Sequence, residues 1–177
     1  MKTTQVLIAG FGGQGILFAG KFLAYKGLME DLQVSWLPSY GPEMRGGTCN
    51  CSVCISDEPV GSPLVLEPDY LLVMNTPSFD KFINAVKPKG KCFIDSTLVD
   101  GKCERDDIDC YYVPATQLAS DNNLKGMANV ILLGKMIKET GLAAMETIEK
   151  AINKVVSAKK AHLIDANLTA LRLGMAQ

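Results

Sequence analysis

The chain has 177 residues, with 18 Lys and Arg against 19 Asp and Glu, one His and a formal net charge of −1. That length fits one domain, residues 1–177, able to bury a core without disulfide or metal staples, and 47% hydrophobic residues exclude intrinsic disorder. The balanced charge carries no electrostatic footprint for nucleic acid or an anionic membrane, and the mean hydropathy of +0.13 suits a chain with some apolar surface that meets a partner.

In chain order, Gln5 to Ala9 is a short apolar run bounded by Gly10, which predicts a strand buried on both faces. Gly15 to Met29 carries Ile16, Ala19, Phe22, Leu23 and Ala24 near helical spacing. Gln33 to Leu37 reads as a second strand, and Pro38 to Gly47 is too dense in Pro and Gly for regular structure. Thr48 to Ile55 alternates as a strand does, with Cys49, Cys51, Val53 and Ile55 on one face and Asn50, Ser52 and Cys54 on the other. Asp69 to Asn75 and Lys91 to Asp95 predict two further strands, with a helix near Ser78 to Val86 between them. Cys110 to Val113 is a final strand stopped by Pro114, and the remainder is helical: Gly126 to Glu139, apolar on most sides and so buried; Ala144 to Val156, amphipathic; and Leu163 to Leu173.

Alternating strands and helices predict a layered α/β domain. The ten residues from 38 to 47 are short for a parallel crossover, so the second and third strands are expected to pair antiparallel within a mixed, mostly parallel sheet. No apolar run approaches the ~20 residues that span a bilayer, and Met1 to Gly15 has neither the apolar core nor the cleavage site of a secretion signal. A cytoplasmic location is expected, with Cys49, Cys51, Cys54, Cys92, Cys103 and Cys110 as free thiols.

Two loops carry the candidate chemistry. Gly10-Phe11-Gly12-Gly13-Gln14-Gly15 satisfies G-x-G-x-x-G between a strand and a helix, a Rossmann-like start. Glycines permit positive φ and close approach of a ligand, and the free amides of the helix start favour an anion. The turn therefore reads either as a phosphate site or as a tight turn without a ligand. The nicotinamide version needs an acid at the end of the second strand. Here Glu30 and Asp31 precede that strand and Leu37-Pro38-Ser39 end it, which counts against a dehydrogenase. No Gly-Lys-Ser/Thr follows the glycines, so a P-loop is excluded. The second loop, Ser39-Tyr40-Gly41-Pro42-Glu43-Met44-Arg45-Gly46-Gly47, should emerge at the same carboxyl edge of the sheet, where ligands bind in open α/β folds. Arg45 there can meet a phosphate or carboxylate, or can pair with Glu43 to tie down the loop.

Together these loops resemble the gamma subunit of 2-oxoacid:ferredoxin oxidoreductases, the pyruvate, 2-oxoglutarate and ketoisovalerate enzymes. Ile55-Ser56-Asp57 with Val60-Gly61-Ser62-Pro63, Pro68-Asp69, Asn129 and Leu133-Gly134 extend the resemblance over nearly the whole chain. It implies a three-layer α/β/α domain beside a thiamine site, in a complex that decarboxylates a 2-oxoacid with coenzyme A and passes electrons to ferredoxin. It implies alpha, beta and delta subunits as partners, thiamine diphosphate and iron–sulfur clusters held by those partners, and no catalytic residue, metal, nucleic acid or membrane contact in this chain. By the same carry-over, Gly12, Gly13 and Gly15 present amides to a phosphate of coenzyme A or to a docking partner. Gln14 hydrogen-bonds ligand or partner, and Arg45, beside Gly46 and positioned by Tyr40 and Glu43, neutralises a phosphate or the substrate carboxylate.

The remaining polar residues read as structural. Asn129 is expected as a buried tie, Asp95-Ser96-Thr97 as a cap, and His162 and Lys159-Lys160 as surface groups. Cys49-Asn50-Cys51-Ser52-Val53-Cys54 tempts a metal assignment, but on a strand Cys54 points away from Cys49 and Cys51, and the other three cysteines come singly. Rival readings are a stand-alone nucleotide-dependent oxidoreductase, a purely structural assembly module, and the small subunit of an indolepyruvate-type enzyme.

Overall fold

β1 (Thr3–Phe11) sends Val6 and Ile8 into one apolar cluster and Leu7 and Ala9 into another, and all four are buried. A strand covered on both faces belongs inside a layered fold. In the computed structural model, which describes residues 3–39 and 48–177, β1 is central to a six-stranded sheet. β2 (Gln33–Ser39), β3 (Thr48–Ser56), β4 (Tyr70–Val73), β5 (Lys91–Asp95) and β6 (Asp109–Val113) complete it in the order β2-β3-β1-β4-β5-β6. β1, β4, β5 and β6 pair in parallel, while β3 runs antiparallel to both β1 and β2. Only β3 is therefore reversed, and the sheet is mixed and mostly parallel as the short connection predicted.

The two layers over the sheet are unequal. One face carries α1 (Ile16–Met29), α3 (Ala115–Asp121), α4 (Ala128–Thr140), α5 (Met145–Val155) and α6 (Ile164–Met175). The other carries α2 (Thr76–Phe82), a 3-10 turn over Ile83–Ala85, and residues such as Val65, Val99 and Ile108 from connecting segments. The architecture is three-layer α/β/α with a thick and a thin side.

The sequence reading differs from the structure at a few places. Pro38 and Ser39, expected to open an irregular loop, continue β2 opposite Cys51 and Asn50. β2 is the sheet edge, where a proline's missing N–H need not break a ladder. α3 was not foreseen as a separate helix, and a 3-10 turn over Ala158–Leu163 precedes the last helix.

α4 is the buried axis of the thick layer, with Ile131, Leu132, Leu133 and Met136 fully enclosed. It crosses α6 at two glycines. A Cβ on Gly134 would lie 2.1 Å from the Leu171 carbonyl oxygen, and one on Gly174 would lie 1.8 Å from that of Ile131. Backbone cannot step aside as a side chain can, so the collision outweighs the ~1 kcal/mol of helix propensity that alanine brings. Gly134→Ala and Gly174→Ala are each expected to cost about 1–3 kcal/mol, read as a lower denaturation midpoint. Gly61→Ala, where nothing lies within 4 Å of the added atom, should leave the midpoint unchanged.

Candidate functional site

At the carboxyl end of β1 the chain turns through the glycine motif. The Gln14 amide donates to the Phe11 carbonyl at 3.2 Å, and the Phe11 amide donates to Gln14 Oε1 at 2.6 Å. Gln14 Nε2 donates to the Met74 carbonyl at 3.0 Å, which ties the turn to the end of β4. Gln14, expected to reach a ligand or partner, thus has both side-chain polar atoms engaged within the chain. Gly13 and Gly15 have φ of +92° and +76°, a left-handed backbone that only glycine adopts without strain.

Gly15 caps the N-terminus of α1 with no side-chain hydrogen bond. Its carbonyl accepts the Ala19 amide and also Asn129 Nδ2, at 3.0 Å. Asn129 stands in the first turn of α4, so this bond brings the starts of α1 and α4 together. It is a buried polar tie, as the sequence suggested, but its Oδ1 is buried without a partner among the described residues. First-turn amides have no acceptor inside their own helix, and both helix dipoles turn their positive ends here. The start of α3, in contrast, is already served. Asp95, fully buried at the end of β5, accepts the Thr116 amide at 3.2 Å, the Thr116 hydroxyl at 2.5 Å and the Thr97 amide at 3.1 Å. Asp95 is a cap.

Two cavities flank the turn. The larger, about 600 Å³, is lined by Gly13, Gln14, Met74, Thr116, Ser120 and Asn123 among others. The smaller, about 330 Å³, is lined by Gly15, Phe18, Asn129, Ser157, Lys160 and Asn167 among others. Lys125 and Gly126 line both. Exposed Lys125 is a cation that sequence reasoning missed, because nothing local distinguishes it from other surface lysines. Lys160 is exposed in the turn between α5 and α6, a surface group as expected, and also borders the smaller cavity.

Of the other expected site residues, Tyr40, Glu43, Arg45 and Gly46 lie outside the described residues. Their flanks are placed: Thr48 pairs with Phe11, and Ser39 pairs with Asn50, whose partner on β1 is Ala9. Both ends of the second loop thus leave from the sheet edge that carries the glycine turn. Cys49 and Cys51 face the thick layer and Cys54 the thin one, so they share no site. Burial pushes the Cys51 thiol up to about 12, an inert group. His162 is exposed, and no group of His, Cys, Asp and Glu among the described residues is arranged to hold a metal ion. No helix among them is long and apolar enough to cross a membrane.

The fold and turn define an α/β domain in which the starts of two helices meet beside the glycine turn, with no acid among the described residues at the end of β2. The family model described as pyruvate ferredoxin/flavodoxin oxidoreductase matches residues 5–177, and the chain belongs to that family. It is 40% identical over 175 residues to ketoisovalerate oxidoreductase subunit VorA of Methanothermobacter marburgensis, covering 98% of this chain but 36% of that protein. It is 36% identical over 151 residues to 2-oxoglutarate synthase subunit KorC of Methanocaldococcus jannaschii, covering 84% and 81%. The chain thus spans about a third of one relative and most of the other. Among solved structures, the gamma subunit of a keto/oxoacid ferredoxin oxidoreductase from Geobacter sulfurreducens superposes with a TM-score of 0.82 at 28% identity, covering 98% of this chain and 96% of that one. A chain of the 2-oxoglutarate:ferredoxin oxidoreductase of Magnetococcus marinus, solved with 2-oxoglutarate, coenzyme A and succinyl-CoA bound, superposes at 0.87 with 21% identity over 99% of this chain and 31% of that one, a likeness of fold.

The clasp yields a prediction. Gln14→Ala leaves the Phe11 amide and Met74 carbonyl without their partners and should cost about 1–2 kcal/mol. Gly15→Ala should cost more than Gly13→Ala, because both are strained by φ but only at Gly15 would the new Cβ meet Asn129, 2.4 Å away. Chemical denaturation of the three variants checks the order.

Proposed function

We propose that this chain is the gamma-type component, one domain over residues 1–177, of a cytoplasmic 2-oxoacid:ferredoxin oxidoreductase, and that its glycine-turn rim holds the phosphate end of coenzyme A. The observation that carries this reading is the meeting of two helix N-termini at Gly15 and Asn129, with Lys125 shared by the two flanking cavities. Coenzyme A is polyanionic at its nucleotide end, and convergent amides with a nearby ammonium are what such a group requires. Gly12, Gly13 and Gly15 supply backbone, Gln14 holds the turn in shape, and Arg45 adds a second cation from the loop anchored at Ser39 and Thr48.

In this reading the chain is inactive alone. Thiamine diphosphate, held by the alpha and beta partners, supplies the chemistry that cleaves the 2-oxoacid, and iron–sulfur clusters on partner subunits, a delta subunit among them, carry electrons to ferredoxin. This chain's contribution is positional. It fixes the carrier's phosphates so that the thiol end is oriented toward the acyl group, and it closes the cleft against water.

The rival dehydrogenase reading loses a structural requirement. β3 lies between β1 and β2, so the end of β2 sits two strand spacings, roughly 10 Å, from β1. The ribose clamp of a nicotinamide site belongs on the strand beside β1.

In the assembled complex, Lys125→Ala and Arg45→Ala are each expected to raise the KM for coenzyme A about 5–10-fold, equivalent to about 1–1.4 kcal/mol of binding. Decarboxylation of the 2-oxoacid without coenzyme A should proceed as in the parent complex. An unchanged KM in both variants, with assembly intact, would leave the chain as a structural module.

A further inference from the structure

The smaller cavity beside the glycine turn lies among the ends of helices. Phe18 lines it from α1, Met127 and Val130 from the start of α4, and Val155 and Val156 from the end of α5. These side chains make much of its wall apolar. Lys125 borders it from the segment before α4, and Lys160 from the 3-10 turn before α6. Both lysines are exposed, and no Asp or Glu is among the described residues of the lining. At about 330 Å³ the cavity is at the small end of ligand pockets, which run from about 300 to 1,000 Å³. It has room for a base and its sugar, not for a whole coenzyme A.

One polar atom of this lining is unmet. Asn129 is only 3% exposed, and while its Nδ2 donates to the Gly15 carbonyl, its Oδ1 has no partner among the described residues. Trp36 Nε1, Asn75 Nδ2 and Ser78 Oγ are in the same state, but of the four residues only Asn129 lines either cavity of the rim. In the larger cavity, Gln14 and Thr116 have their side-chain polar atoms engaged within the chain. A buried amide oxygen can only accept, so it calls for an N–H or O–H. Apolar walls, a buried acceptor and cations at the border are the complement of an amino-bearing aromatic base joined to phosphates.

We infer that the smaller cavity takes the adenine of coenzyme A, its 6-amino group donating to Asn129 Oδ1 and its ring lying against Phe18 and Val155; the inference rests on the reading of the rim as the phosphate site. Continuity supports it. Gly15 belongs to the glycine turn and also lines the smaller cavity, so a base in that cavity lies next to phosphates at the rim. Lys125 lines both cavities and stands where the phosphates pass from one to the other. Lys160, which lines only the smaller one, is left to the phosphate on the ribose. The larger cavity, about 600 Å³, then takes the arm that ends in the thiol. Asn129 becomes a specificity-determining residue: Nδ2 shapes the turn, and Oδ1 selects a base that carries an amine. A base without one leaves the acceptor unmet, which is how a site built around a hydrogen bond rejects an analogue.

The test measures how two probes compete with coenzyme A in the assembled complex: adenosine 3′,5′-bisphosphate, and the same bisphosphate of unsubstituted purine riboside, which lacks the amine. The adenosine probe should compete about tenfold better. Val155→Phe narrows the cavity and should weaken the adenosine probe several-fold, while inorganic pyrophosphate, which has no base, inhibits variant and parent alike. Lys160→Ala, an exposed position where folding is not at stake, should weaken the adenosine probe about 5–10-fold. Photoreactive 8-azidoadenosine 3′,5′-bisphosphate should label peptides carrying Phe18 or Val155, and excess coenzyme A should abolish the labelling. Equal competition by the two probes, or labelling confined to the larger cavity or to another subunit, would overturn the inference. Should that occur while Lys125→Ala and Arg45→Ala still raise the KM for coenzyme A, the phosphate reading of the rim stands and the placement of the base alone fails. An unchanged KM in those variants defeats both.

Discussion

The hydrogen bond from Asn129 to the Gly15 carbonyl joins the starts of two helices whose contact residues are 114 positions apart in sequence. It requires a backbone with no Cβ at Gly15, since that atom would overlap the Asn129 amide. It also sets two positive helix ends side by side, each equivalent to roughly half an elementary charge. Like charges this close oppose folding, and the Asn129 oxygen remains buried without a partner among the described residues. An unmet buried acceptor costs about 1–3 kcal/mol. That cost falls at the rim proposed above as the phosphate site.

The thick helical layer holds that junction in place. α4 is buried along most of its length, and its crossing with α6 is close enough that no side chain fits between the backbones at Gly134 and Gly174. A helix so constrained cannot slide, so Asn129 is presented to Gly15 in one position. On the other flank, Gln14 spans from its own turn to Met74 and fixes the glycines relative to β4. The reversed β3 completes the frame. Because it runs opposite to its neighbours, both anchors of the arginine-bearing loop, Ser39 and Thr48, fall at the rim. The same insertion moves the end of β2 away from β1, so one topological choice sets both loop anchors at the rim and removes the geometry of a nicotinamide site.

Much of this frame was legible in the sequence because its signals are local. The period-2 pattern of Thr48 to Ile55 and the apolar run after Gln5 specify strands, and glycines punctuate the turn between β1 and α1. The ten-residue connection dictated the antiparallel pair by chain geometry alone. α3 escaped notice because its buried face consists of Ala115 and Ala119, too small to stand out as a stripe. Lys125 and the Gly15–Asn129 bond were invisible for another reason: each has meaning only after α4 has been packed beside α1. Gln14's place in the motif points to a ligand or a partner, and only the packed structure shows that both ends of its amide are already used.

The two layers differ in what they hold still. The thin layer is built largely from connecting segments held by side-chain hydrogen bonds such as those of Arg105, and segments of that kind open at lower free energy than a packed helix pair. The phosphate rim proposed above needs the opposite, amides that stay where the ligand expects them. The fold answers that need by setting α1 and α4, both packed into the thick layer, at Gly15.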